Sequence, residues 1–264
     1  MNNWQGFRLG LKTYSQATSF MFRHKLGWYF IFPVLFNILL LVGGFWSVSS
    51  LSEGIIGSMN GWMNIDSWEF WGSDFIIALI KGFVWVVLRL LFFIIYAYIG
   101  GYIIIILLSP VYAFLSERTE EVITGQKVPF NFSQFAKDII RGVLLAVRNL
   151  SVEMALTLLL FILSFIPLIG YLTPFALLLV SAYFYGFSFL DYTFERKRFK
   201  IDFSIRFMRR NRGLAIGNGF VFSLVLLIPY IGVMLAGFVS IISVVAATLA
   251  AGEVIKSDTG IVNS

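Results

Sequence analysis

ALTLLLFILSFIPLIGYLTPFALLLVSAYFYGFSFLDY, residues 155–192, is an apolar stretch broken in its middle by Ile166-Pro167-Leu168-Ile169-Gly170. The break recurs: Ile228-Pro229-Tyr230-Ile231-Gly232 interrupts a second apolar stretch, residues 219–251, with Pro229 lying 62 residues beyond Pro167. In each copy the arm before the proline holds only about ten to twelve apolar residues, whereas a helix needs ~20 to cross the hydrocarbon core. Proline lacks an N–H and closes off the preceding helix, and the glycine three residues on permits a tight turn into the next. Backbone groups freed at membrane depth survive only inside protein or against a wet cavity. Each copy is therefore expected to be a re-entrant helical hairpin; the plainer alternative is a single kinked spanning helix.

The rest of the chain sets these hairpins in a membrane. Of 264 residues, 59% are hydrophobic, 18% aromatic and 13% charged, and the mean hydropathy is +0.86. A water-soluble core of this size cannot hide that much apolar surface. There is no cysteine, which excludes disulfides and thiolate chemistry, and the single histidine, His24, excludes zinc sites of Cys/His spacing. The formal charge of +6 is explained by cytoplasmic loops and anionic lipid headgroups without a nucleic-acid partner.

Residues 4–22 carry Arg8 and Lys12 among aromatics and could form an amphipathic interfacial helix. Residues 26–46 follow as a first spanning helix, read as a retained anchor because the run is too long and too deeply placed for a signal peptide. Between Ser47 and Asp74 there are four acidic residues and no lysine or arginine, so this stretch is expected to be an outer loop, with Trp46, Trp62, Trp68 and Trp71 at the headgroup level. Residues 75–108 form a second long helix, about 50 Å if straight, with Gly100-Gly101 as the expected weak point and Ser109-Pro110 as a new start. Lys81 lies near enough the outer end to snorkel, whereas Arg89 sits deeper and must face protein or water. A short helix from Ser109 should end at Gly125, and apolar positions three and four apart predict an amphipathic helix over residues 133–150. Residues 195–213 contain eight basic residues and read as cytoplasmic. Eighteen of the twenty lysines and arginines fall on that side, so both hairpins enter and leave there and both termini are expected in the cytoplasm.

The order of these signals resembles a known family. Phe32-Pro33-Val34-Leu35-Phe36-Asn37 in the first anchor, Ser109-Pro110 with Leu115-Ser116-Glu117, Ile166-Pro167-x-Ile169-Gly170, Asp191-Tyr192-x-Phe194, Arg210 to Arg212 and Ile228-Pro229 follow one another as in the CysZ sulfate permeases, over residues 15 to 250 approximately. The resemblance implies one all-α membrane domain over residues 1–264, with two long transmembrane helices, two half-penetrating hairpins and amphipathic interfacial helices. It further implies homo-oligomers in the inner (plasma) membrane that pass sulfate or a similar oxyanion inward without a cofactor. The wider superfamily includes the etoposide-induced protein 2.4 group, so the alternative is a non-transport scaffold acting through lipid or protein contacts.

Sulfate binding needs charge-assisted donors and gains from a helix N-terminus. The family's anion site is associated with paired arginines before the first spanning helix. The matching positions here read Arg23-His24-Lys25, without an arginine pair, and the plainer alternative is a positive-inside anchor for the first helix. Asn37 and Arg89 are candidates for a pore lining or an interhelix hydrogen bond. Glu117 and Arg118 are candidates for a gate at the inner mouth or a solvated salt-bridge face. The basic loop Arg196 to Arg212 can attract anions, although topology and lipid binding account for it. Asp191 with Tyr192 is expected to tie the hairpin's exit to a neighbouring arginine. Intramembrane protease chemistry lacks its embedded histidine or second aspartate, so no enzyme is expected.

Overall fold

A computed structural model of the chain describes residues 1–63, 67, 69, 71–125, 131–228 and 231–257. Every element among them is helical: α1 (Asn3–Arg23), a 3-10 segment (Leu26–Phe30), α2 (Ile31–Met63), α3 (Ser73–Leu107), α4 (Ser109–Thr124), α5 (Phe132–Leu163), α6 (Pro167–Arg196), α7 (Ile201–Arg210), α8 (Arg212–Leu226) and α9 (Gly232–Ser257). Four of the described segments are long and apolar enough to cross a membrane: 26–62, 132–163, 167–196 and 232–255.

The chain breaks at both proline signatures. α5 ends at Leu163, Ile166 takes an extended conformation, and Pro167 opens α6 as its first residue. α6 runs back along α5, pairing Arg141 with Asp191, Asn149 with Ser188 and Glu153 with Ser181. α8 stops at Leu226 and α9 begins at Gly232; Pro229 and Tyr230 between them lie outside the described residues. Arm lengths differ from expectation. The amphipathic segment 133–150 and the first hairpin arm are one unbroken helix of 32 residues, within which Ser151 returns its hydroxyl to the Val147 carbonyl at 2.9 Å. In the second hairpin α8 has only 15 residues, about 22 Å of helix.

Two further expectations change. The first spanning helix does not stop at residue 46: α2 continues to Met63. Ser47, Ser52 and Ser58 each bond the carbonyl four residues back at 2.7 to 2.8 Å, so residues that resemble a loop sit comfortably in a helix. Trp46, Trp62 and Trp71 are exposed, while Asp66 and Trp68 lie outside the described residues. Gly100-Gly101 is not a bend. α3 passes through it unbroken, and a Cβ at Gly101 would come within 2.6 Å of the Tyr185 hydroxyl, so this glycine admits a neighbour. The bend, 67°, falls at Leu108, where Ser109-Pro110 starts α4 as expected. Gly125 closes α4 in a left-handed conformation with φ 71°.

α9 is the hub, touching α1, α2, α3, α4, α6 and α8. Its Val244, Val245, Ala246, Ala247, Ala250 and Ala251 are fully buried. α1 is docked into the bundle: Gly6 and Gly10 meet α8 at Gly213 and Gly217, and the Tyr14 hydroxyl reaches the Asn218 carbonyl and Ser243. α6 and α8 approach closely enough that a Cβ on Gly186 would lie 1.8 Å from the Ala215 carbonyl oxygen. Small residues thus let backbones meet where apolar side chains alone give little drive in lipid.

Candidate functional site

Polar groups concentrate where α4, α5 and α6 converge with the start of α7. Arg141 on α5 forms a bidentate clamp on Asp191 of α6, with Nε 3.1 Å from Oδ2 and Nη2 3.0 Å from Oδ1. The same guanidinium donates to the Phe199 carbonyl and, at 3.0 Å, to Ser204 Oγ. Asp191 is 2% exposed, so its charge is tolerable only because a planar fork satisfies both oxygens. This is the arginine that the hairpin exit was expected to find. A second knot lies alongside: Glu120 of α4 pairs with Arg196 and, at 2.9 Å, with Lys197, while Arg196 also donates to the Ser116 carbonyl. Burial lowers the Lys197 ammonium below its ordinary value, and neighbouring Arg196 adds to that.

Between these knots opens a cavity of about 360 Å³ whose charged walls are Glu117, Asp138, Glu195, Arg196 and Arg198. Arg196 is engaged by Glu120, and among the described residues Arg198 makes no ion pair. Glu195 is 4% exposed and its Oε1 has no hydrogen-bond partner among them. Three carboxylates therefore face one unengaged cation. A dianion entering this cavity is repelled only to the extent that these carboxylates are ionised, and burial favours the neutral form of a carboxyl group.

Above the cavity a file of buried polar groups follows the seam between α5 and α6. Asn149 Nδ2 donates to Ser188 Oγ at 3.0 Å, and Arg148 donates to Asn149 Oδ1. Glu153, 5% exposed, accepts from Tyr102 of α3 and Ser181 of α6, both at 2.5 Å. From Arg141 to Glu153 the file extends for about 18 Å at 1.5 Å per residue. Glu153 falls between the amphipathic stretch and the apolar arm as the sequence delimits them, so neither pattern assigns it a role. An acidic residue interrupting an apolar run was the available signal.

The sequence candidates separate. Glu117 reaches the cavity wall, whereas Arg118 turns outward, 53% exposed, to Glu121 at 2.6 Å. Arg23, His24 and Lys25 form the exposed turn between α1 and the 3-10 segment, with Lys25 left-handed at φ 56° and His24 against Phe20. Tyr29, just beyond, lies within Coulombic reach of Arg118, Glu117 and Glu121 of α4. Asn37 is buried and donates to the Met234 carbonyl of α9 at 3.0 Å, an interhelix hydrogen bond. Arg89 stands over the Trp85 ring, 3.6 Å from its centroid. It is twenty residues before Ser109, about 30 Å along α3, and so is not part of the cluster. Among the described residues no group of acids and histidine could hold a metal ion.

The profile of a family described as "Sulfate transporter CysZ/Etoposide-induced protein 2.4" matches residues 13–236. The chain belongs to this family. A protein of Pectobacterium atrosepticum named "Sulfate transporter CysZ" is 27% identical over 208 residues, 78% of this chain and 72% of that protein. One of the same name from Pseudomonas fluorescens is 26% identical over 132 residues, 49% of this chain and 53% of that protein. The CysZ/etoposide-induced match begins within α1 and ends within α9, so it takes in the Arg23–Lys25 turn, the Arg141–Asp191 clamp and both proline breaks.

Proposed function

We propose that this chain carries sulfate, or an oxyanion of like charge and shape, into the cell as a homo-oligomeric channel-like or secondary permease of the inner membrane. The observation that carries the reading is the 208-residue alignment with a protein named as a sulfate transporter. In this reading α2 and α3 span the bilayer. The hairpins α5–α6 and α8–α9 enter from the cytoplasmic side, where the basic segment 195–213 and both termini lie. The wet path follows the polar file where α3, α5 and α6 meet. Arg23, His24 and Lys25 present donors at the N-terminus of the 3-10 segment and collect the anion. Glu117, with Asp138 and Glu195, forms the gate that repels it until the charge balance or geometry shifts, and Arg118 holds the outer face of α4 through Glu121. Arg89, over Trp85, and Asn37, bonded to α9, lie off this path and serve the packing of α3 and α2.

A membrane scaffold is the second reading, supported by the other half of the family's description. Growth rescue separates the two. A bacterium lacking sulfate uptake should grow on limiting sulfate when it expresses this chain, and Arg23→Ala with Lys25→Ala should abolish rescue at equal membrane abundance. No rescue by the intact chain favours the scaffold.

A further inference from the structure

A second cavity, about 370 Å³, opens between α5, α6, α7 and α8 and shares no lining residue with the carboxylate cavity. Its two ends differ. Arg209, in the last turn of α7, and Arg212, the first residue of α8, form one end, while Leu156, Leu179, Phe184 and Ile216 line the remainder. No carboxylate lines it. Both arginines are exposed and, among the described residues, neither makes an ion pair. Arg148 joins them: all three act electrostatically on Tyr183 in the cavity wall, and Arg148 also lies 5.9 Å from the Phe187 ring centroid.

We infer that this groove is a binding site for one anionic phospholipid, with its phosphate between Arg209 and Arg212 and an acyl chain along Leu156, Leu179 and Phe184. Charge complementarity selects the headgroup, since two unengaged guanidiniums present forks matched to phosphate oxygens. The first N–H groups of α8 add positive potential beside Arg212. The apolar walls select a lipid over a free oxyanion, for which they would only remove water without replacing its hydrogen bonds. Direction agrees as well. Leu156 lies eight residues beyond Arg148 toward the hairpin tip, and Leu179 lies on the tip side of Tyr183, so the apolar end points deeper along the hairpin than the basic end. A basic cluster next to an apolar cleft at the membrane surface is the arrangement that anionic headgroups recognise. The inference stands apart from sulfate transport, because neither arginine belongs to the gate or to the Arg23–Lys25 turn.

The test is native mass spectrometry of the delipidated full-length protein titrated with phosphatidylglycerol, phosphatidylcholine or inorganic phosphate. Phosphatidylglycerol should bind at one per chain, well ahead of phosphatidylcholine, and excess inorganic phosphate should not displace it. Arg209→Ala with Arg212→Ala, exposed positions that leave the fold intact by circular dichroism, should weaken it roughly thirtyfold. Leu179→Gln should weaken it with both arginines present. Equal binding of the two lipids, unchanged affinity in the arginine double variant, or displacement by inorganic phosphate overturns the assignment, the last by making the groove a free-oxyanion site.

Discussion

The two hairpins carry the same Ile-Pro-x-Ile-Gly signature, but their arms are buried to different extents. Around the first break Phe165, Leu168, Tyr171 and Phe175 are 69 to 83% exposed, and only 22% of the apolar window of either arm is buried. In α9 of the second hairpin the buried share is 67%. The signature specifies a turn and nothing about what surrounds it. That is decided by the helices. α5 and α6 present leucines and phenylalanines, side chains as much at home in acyl chains as in protein. α8 and α9 present glycine, alanine and serine, which earn their place only by letting other backbones close on them.

The contrast can be broken most severely at its base. Arg141→Ala leaves Asp191 buried without its fork, and should cost about 3–5 kcal/mol, read as loss of monodisperse protein in detergent; Arg141→Lys, which cannot bond both oxygens, should recover only part. Next is the seam between the hairpins. Gly186→Val forces a side chain into the Ala215 carbonyl and should cost about 1–3 kcal/mol or more, lowering the thermal midpoint of purified protein. At the exposed tip the effect should nearly vanish: Leu168→Ala should stay within about 0.5 kcal/mol. The same tip gives depth. Because the chain has no cysteine, Leu168→Cys and Leu227→Cys can be labelled singly. Half-inserted hairpins keep both thiols from an impermeant maleimide added outside. Labelling of Leu168→Cys from that side would make the first hairpin a full crossing.

What the sequence disclosed follows from rules that act over a few residues. The proline breaks, the Ser109-Pro110 start and the Gly125 cap are local, and each appears at its place. The polar face of residues 133–150 and the isolated Asp191 were visible, but not that Arg141 and Asp191, fifty residues apart, are partners. Periodicity contains no information about such pairs. Gly101 was misread because glycine in a helix signals either weakness or close approach, and only the presence of Tyr185 tells which. Residues 47–63 were expected to be a loop from their acidic residues and lack of lysine and arginine, a pattern that speaks to sidedness and not to backbone conformation; their serine hydroxyls fold back onto a helix instead. Of the acids lining the cavity, Glu117 stood among the sequence candidates, while Asp138 and Glu195 there and Glu153 on the seam needed the bundle to bring them together.

Sulfate transport itself is tested most directly by uptake of radiolabelled sulfate into proteoliposomes made from the purified full-length chain. The account predicts flux well above empty vesicles, reduced in Arg23→Ala with Lys25→Ala and undiminished in Leu168→Ala. Intact, correctly inserted protein that gives no flux above empty vesicles would contradict it.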